Sequence, residues 1–585
     1  DETLTVYGIL GFIRLNIGWV AIVITDRLLV GRLNGHNIYK LANYRLITLT
    51  KSNKLHLSAQ HVHDDNKYFS LIEDTLSWNS LYFSTTFDLT QSLQRQQAQV
   101  AAAQEHGEPL SPFWQRTDTR FFWNAPLAQR LMDAVQSGLV AESGLDEYIL
   151  PVMCGFVDIS QMTMNHTPVT FALISRRSRF RPGTRYNSRG IDEQGHVSNF
   201  VETEQIIQSS AKQLQASYVQ VRGSIPLFWA QVVCVKYVPR LSLQDPHSAM
   251  TADAIRRHFD SLCAIYGRVV AVNLTNLVGY EAPMAKGFRD AIAPLVGAAV
   301  RHEDFDFHQE CKKMRYDRVS VLVSLLGDEL EKQSPSPPPA VFTSQTSVLR
   351  VNCMDCLDRT NVVQSVFARR ALRLQLQAMG ILSGAEPDIA DGFTAVSPEF
   401  EKTFKRVWAD NADEVSRQYS GTGALKTDYT RTGKRSRAGM LRDGRNSVMR
   451  YILNNFFDGS RQDGYDLLLG VYHVHPEHSP YAGVPTVQSQ YLLLPLLVVL
   501  SLFGVVFSLL THMTFLNHVV FLFMWSAAAY GSVRMTYVFG HELVDRPRLV
   551  PIGVSPYPHS APTGVVPEMH TIHNPSAFDK VGKTA

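Results

Sequence analysis

Two uncharged apolar runs near the C-terminal end constrain this chain more than any other feature. Residues 491–510 are rich in Leu, Val and Phe, and residues 515–533 follow, interrupted only by Asn517 and His518. Each run is long enough to cross the roughly 30 Å hydrocarbon core of a bilayer as a helix. The connection between them, residues 511–514, carries no Lys or Arg, whereas Arg534, Arg546 and Arg548 lie outside the pair. Positive charge stays on the cytosolic side of a membrane. The expected structure is therefore a transmembrane hairpin with a small lumenal turn and both ends in the cytosol. Two buried core helices of a soluble domain are the alternative, and the lack of charge over such lengths favours the membrane.

The chain has 585 residues, enough for several domains and a large core. Its net charge of +3 is too mild to argue for nucleic acid as a partner, so basic residues matter only where they cluster. Six scattered cysteines with one C-x-x-C pair fit a reducing compartment better than a disulfide scaffold. No basic region with an apolar core opens the sequence, so no signal peptide is expected, and a start at Asp1 suggests trimming.

From Val6 to about Phe87, short apolar runs alternate with polar turns, as in a β-rich domain. Residues 91–104 read as an exposed helix. Strands are expected over residues 169–175, 229–235 and 347–351, and helices over 203–215, 252–266 and 361–379. The predicted organisation is a β-rich N-terminal subdomain (1–125), an α/β catalytic domain (126–455), a linker to the membrane (456–490), the hairpin (491–533) and a cytosolic tail (534–585). Within the linker, residues 471–490 would act as a tether reaching at most about 70 Å. Residues 333–339, Pro/Ser-rich, read as a disordered insert.

The chemistry centres on Cys353 and Arg359, spaced C-x5-R within RVNCMDCLDRT at 350–360. A β-like run enters this stretch and a helix-patterned run leaves it. Such a strand–loop–helix aims backbone N–H groups and a helix dipole at one spot, which favours bound anions and lowers a thiol pKa. Met354, Cys356, Leu357 and Asp358 would line that cradle. Arg359 offers a planar fork to two phosphate oxygens. The hydroxyl of Thr360 can hydrogen-bond the sulfur and help it leave. The reaction implied is thiolate attack on phosphorus through a cysteinyl-phosphate, a phosphatase of the cysteine type. Asp355 and Asp358 bring negative charge that should raise the thiol pKa. Asp355 is the expected proton donor to the leaving oxygen, and Asp358 the expected salt-bridge partner of Arg359. For Cys353 the plain alternative is a buried free cysteine.

The run 350–364, RVNCMDCLDRTNVVQ, resembles the signature loop of the Sac-domain phosphoinositide phosphatases. So do Phe122-Trp123-Asn124, residues 181–186 (RPGTRY), 199–205 (NFVETEQ), 222–229 (RGSIPLFW) and 421–435 (GTGALKTDYTRTGKR), in the family's order. The resemblance extends from near the N-terminus to about Gly470. With the hairpin, it points to the integral-membrane branch of the endoplasmic reticulum and Golgi. It implies hydrolysis of phosphatidylinositol monophosphates, chiefly phosphatidylinositol 4-phosphate, with no metal or other cofactor. Expected partners are the phosphoinositide substrate, the membrane, and adaptor proteins of the Golgi or of membrane contacts.

Two basic runs could meet a headgroup at an anionic surface. The first is 176–181 (RRSRFR) with Arg185 and Arg189; the second runs from Lys426 through Lys434 with Arg435, Arg437, Arg442 and Arg445. Arg185, Lys434 and Arg435 are the individual candidates. Cys353 and Cys356 could also be a redox pair or half a zinc site, but no second C-x-x-C supplies ligands. A reversible disulfide between them is a secondary reading. His473, His475 and His478 read as surface histidines. No G-x-x-x-x-G-K-[ST] loop supports nucleotide hydrolysis. A catalytically weak phosphoinositide-binding membrane tether is the competing function, and a phosphotyrosine phosphatase a weaker third.

Overall fold

The computed structural model describes residues 3–49, 57–78, 80–107, 109–138, 144–312, 315–333, 345–382, 393–394, 396–433, 436–482, 489–511 and 514–549. The alternating N-terminal runs form strands: β1 (Gly8–Leu15), β2 (Gly18–Leu33) and β3 (His36–Thr48) make an antiparallel meander. Short β4 (Leu81–Phe83) pairs with β3 on one side and with β5 (Val152–Met164) on the other. Strands β6 (Thr167–Arg177), β7 (Val201–Ser209) and β8 (Leu214–Arg222) continue the antiparallel series. A small separate hairpin follows, β9 (Trp229–Val232) with β10 (Arg240–Leu243). The last three strands are β11 (Arg268–Asn273), β12 (Val300–Asp304) and β13 (Ser347–Asn352). Here the sheet turns parallel, in the order β8-β13-β11-β12.

One eleven-stranded sheet therefore runs through the division expected at residue 125. Asn124 stitches that point: its amide donates to the carbonyls of Leu10 and Leu150 and accepts from the N–H of Val152. The helix expected over 203–215 is corrected to β7, a turn and the start of β8. Its Gln, Ser, Ala and Lys content suits a helix, but Glu202 and Glu204 both pair with Arg176, at 2.9 and 2.6 Å. Residues two apart share one face only in a strand.

The helices that matter are α1 (Ala59–Leu76), α2 (Leu93–His106), α3 (Ala249–Tyr266), α4 (Ala282–Ile292), α5 (Asp358–Ala378), α6 (Pro398–Ser420), α7 (Arg437–Phe456) and α8 (Asp458–Leu468). Val269, Ala271 and Val348 pack with α3 and α4 on one face of the parallel strands; Val270, Val272, Leu349 and Val351 pack with α5 on the other. Burial on both faces explains why these strands read as continuous apolar runs.

The linker expected over 456–490 is corrected over its first half. Residues 458–468 are α8, whose Leu467 and Leu468 lie in the N-terminal core with Leu71 and Ile72 of α1. Tyr472 and Tyr481 then pack beside Tyr68, and His61 Nε2 lies 2.8 Å from the carbonyl of Pro476. Apolar side chains in that segment dock it, so a free tether cannot begin at 471.

Two long apolar helices follow, α9 (Ser489–Leu510) and α10 (Phe515–Val538). They pack on each other, Gly504 so closely on Trp525 that a Cβ would stand 2.1 Å from its ring. Their other faces are exposed Leu, Val and Phe. The chain then returns to the main body of the fold. Asp545 donates its N–H to the carbonyl of Asn455, the carboxylate of Asp463 accepts from the N–H groups of Arg548 and Leu549, and Leu549 is buried in the N-terminal core.

Candidate active site

Strand β13 ends in the middle of the parallel strands, and α5 starts six residues later, so residues 353–357 form a loop at the carboxyl ends of the strands. Open α/β sheets bind ligands at that edge. The strand-end residues Asn352, Asn273 and Asp304 lie in register and hydrogen-bond in series, 2.7 Å from Asn352 to Asn273 and 2.8 Å from Asn273 to Asp304. This polar row fixes the point where the loop leaves the sheet.

Cys353 is buried, and its sulfur accepts the N–H of Cys356 at 3.0 Å and the hydroxyl of Thr360 at 3.4 Å. Its pKa is lowered to about 6: the Cys356 thiol donates toward it, and Arg359 and Thr360 add to the effect against burial and the charge of Asp355. Burial, then the neighbouring sulfur, push the Cys356 thiol well up, so Cys356 keeps its proton. The Cys356 thiol also lies 2.9 Å from the carbonyl of Gly223. Its φ of 53° places the loop in the left-handed region, which turns its N–H onto the Cys353 sulfur.

Two buried guanidiniums stand behind the loop. Arg350 donates to Asn352 and to the carbonyl of Ser224; Arg222 donates to Asn361 and leaves Nε and one Nη without a hydrogen-bond partner among the described residues. Burial lowers both, each to about 10, with the cysteine sulfurs pulling the other way. Their positive charge favours a thiolate.

Arg359 is not a free fork. Its Nη1 and Nη2 donate to Glu281 at 2.8 and 2.7 Å, and Nη1 also approaches the carbonyl of Leu274 and the side chain of Asn276. The expectation that Asp358 fixes Arg359 is corrected accordingly. Asp358 caps the Leu425 N–H at 2.6 Å and lies 3.5 Å from Arg450 instead.

Asp355 is likewise committed. Burial would raise its carboxyl, but Arg185 and Arg189 hold it well below the usual carboxylate range. Arg185 Nη2 stands 2.8 Å and Arg189 Nη2 2.7 Å from its two oxygens. In this arrangement the two guanidiniums hold Asp355 ionised. Met354 and Leu357 bury their side chains in the core, so only their backbone can face a ligand.

The first basic run divides. Arg176 and Arg177 are structural, fully buried at the end of β6, Arg177 donating to Tyr465 and to the carbonyls of Gln418 and Gly183. Arg185 and Arg189 do reach the site. Lys434 and Arg435 lie outside the described residues. Lys426 lines a cleft of about 510 Å³ with Cys353, Asp355, Arg359, Lys312 and His308. A second cleft of about 320 Å³ abuts it across Asp355, Arg359 and Glu281, and continues past Arg450, Tyr237 and Tyr451. The arrangement can hold a phosphate monoester against a low-pKa thiol, with cationic walls and an open mouth.

Residues 7–312 match the SacI homology domain. Over 552 residues the chain is 38% identical to phosphatidylinositol-3-phosphatase SAC1-A of Danio rerio, covering 94% of this chain and 90% of that protein. Identity to phosphatidylinositol-3-phosphatase SAC1 of Drosophila melanogaster is 39% over 557 residues, 94% and 89% of the two chains. For phosphatidylinositol-3-phosphatase SAC1 of Saccharomyces cerevisiae it is 35% over 573 residues, 94% and 86%. The chain belongs to the SacI homology domain family. In this SacI chain the sequence reading missed Glu281, Asn276, Arg222 and Arg350. Glu281 lies 78 positions from Arg359 with no motif to link them; the two buried arginines are the first residues of the quoted runs 222–229 and 350–364, and only their burial reveals a role.

Proposed function

We propose that this chain is a membrane-anchored phosphoinositide phosphatase that hydrolyses phosphatidylinositol monophosphates, chiefly the 4-phosphate. The observation that carries the reading is the Cys353 sulfur, buried, accepting two hydrogen bonds at the start of α5 and lowered to about 6. The thiolate attacks phosphorus, the P–O bond to inositol breaks, and the phosphoryl group rests on sulfur. Water then attacks phosphorus, the P–S bond breaks, inorganic phosphate leaves, and Thr360 steadies the departing thiolate.

The phosphate competes with two carboxylates for its cations. It displaces Glu281 from Arg359 and Asp355 from Arg185 and Arg189. Loss of those guanidiniums removes what holds Asp355 ionised, so its pKa rises and it becomes able to protonate the inositol oxygen. Lys426 and Lys312 add charge at the cleft mouth. Residues 493–510 of α9 and the whole of α10, long and apolar enough to cross a bilayer, support a hairpin that keeps the domain at its substrate in endoplasmic reticulum and Golgi membranes.

The test is phosphate release by the full chain in proteoliposomes offered the 3-, 4- and 5-phosphates separately, with Cys353→Ser as control. Release of the 4-phosphate fastest, lost in the variant, is expected. The relatives are named for the 3-phosphate, and faster release there would reassign the isomer. No release from any isomer, with lipid binding intact, would favour the tether.

A further inference from the structure

We infer that α7 lies in the headgroup layer of the same bilayer that holds the hairpin, exposed face down, and so sets the active-site mouth against that bilayer. The inference rests on the membrane reading of α9 and α10 proposed above.

The inner side of α7 is fixed by polar contacts. Arg450 donates to Ser416, Thr422 and the carbonyl of Gly423, and Asn454 to Ser420 and Asp458. The outer side is different. Leu441 and Val448 are 77% and 59% exposed, and at 3.6 residues per turn they align with Ile452 and Phe456. Arg437, Arg442 and Arg445 flank this row, exposed and in no ion pair among the described residues. An apolar row bordered by arginines is the pattern of an interfacial helix on anionic lipid.

The occupant is fixed by continuity with the hairpin base. Just beyond α10, Gly540 sits so close to Val235 that a Cβ would stand 2.5 Å from its side chain. The carbonyl of Val235 accepts the hydroxyl of Tyr451 on α7 at 2.5 Å. Asp545, a few residues on, donates to Asn455 of α7. The cytosolic end of the hairpin and the C-terminal half of α7 are thus at one depth. The same loop carries Tyr237, 75% exposed and stacked on Tyr451, and Val238, which rim the cleft that reaches Asp355 and Arg359. A lipid headgroup entering over this rim leaves its acyl chains in the bilayer. A partner protein on the same face lacks any such connection.

The experiment uses the full chain in vesicles of phosphatidylcholine and phosphatidylserine. A fluorophore is placed on Leu441→Cys, or on Phe503→Cys of α9, in a Cys234→Ser, Cys263→Ser, Cys353→Ser background. Lipid nitroxides at shallow or deep positions act as quenchers. Quenching of the 503 label by the deep nitroxide and of the 441 label by the shallow one is expected. In the otherwise unaltered chain, Leu441→Asp with Val448→Asp is expected to lower turnover of long-chain substrate in the vesicle about tenfold. Turnover of a short-chain soluble substrate should be unchanged. An unquenched 503 label would remove the hairpin reading and this inference with it. A quenched 503 label beside an unquenched 441 label, or equal effects on both substrates, overturns the inference alone. An unquenched 441 label whose emission shifts when protein is diluted among vesicles assigns the face to a second copy instead.

Discussion

Replacing Glu281 by Gln tests the competition at Arg359 directly. The native pair is bidentate, 2.7 and 2.8 Å, with side chains only 13% and 21% exposed, so solvent screens it weakly. A hydrogen bond to a charged group contributes about 1.5–3 kcal/mol. Phosphate must displace this carboxylate before it can use both Nη groups. Gln keeps the size and one acceptor but removes the charge, so the displacement should cost about 1–2 kcal/mol less. Every 1.4 kcal/mol is tenfold, so KM for short-chain phosphatidylinositol 4-phosphate and Ki for inorganic phosphate should fall together, about five- to thirtyfold. The uncompensated Arg359 charge should also lower the Cys353 pKa further, moving the acid limb of kcat/KM to lower pH. Initial rates against substrate, with phosphate as inhibitor, read both effects. A KM that stays constant or rises while kcat drops would refute the reasoning, because Glu281 would then be aiming Arg359 rather than withholding it.

Other outcomes follow from the same contacts. With Cys353 lowered to about 6, kcat/KM should be flat above that pH and fall about tenfold per unit below it, as the thiolate is protonated. Cys356→Ala removes a donor to the thiolate and should raise that limb by about one unit; an unmoved limb would exclude Cys356 as its support. Asp355→Asn should tighten phosphate binding by freeing Arg185 and Arg189, and slow cysteinyl-phosphate formation in single-turnover quench experiments; an unchanged rate removes Asp355 as the acid. Arg176→Met leaves Glu204 buried without a cation and Glu202 with only the 3.6 Å contact to Arg120, a loss of about 3–5 kcal/mol, to be seen as a lower melting temperature.

What could be read beforehand was local. Ser347–Asn352, the loop and α5 are contiguous, so spacing alone places Cys353 at a helix start with Thr360 one turn in. The partners of the charged residues were not legible, since they come from far along the chain: Glu281 for Arg359, Arg185 and Arg189 for Asp355, Arg450 for Asp358. Composition also misled in one place. Counting Arg176 and Arg177 as surface charge overlooked that Arg176 could bury against Glu202 and Glu204, and Arg177 against Tyr465 and the carbonyls of Gln418 and Gly183. The segment after Gly470 reads as linker because its apolar residues, Tyr472, Val474 and Tyr481, are spaced for docking onto α1 rather than for any regular element.

The return of residues 545–549 to the N-terminal core bears on how this chain is made. Leu549 shares a core with Leu10, Ile22 and Ile72, from the opening of the sequence. Residues on both sides of the two apolar helices therefore build one hydrophobic interior. During synthesis, α9 and α10 leave the ribosome before that interior can close, so the apolar pair must find its own environment while the N-terminal core still lacks its last side chain. Completion of that interior therefore waits until both apolar helices have been made and have let residues 545–549 come back to it.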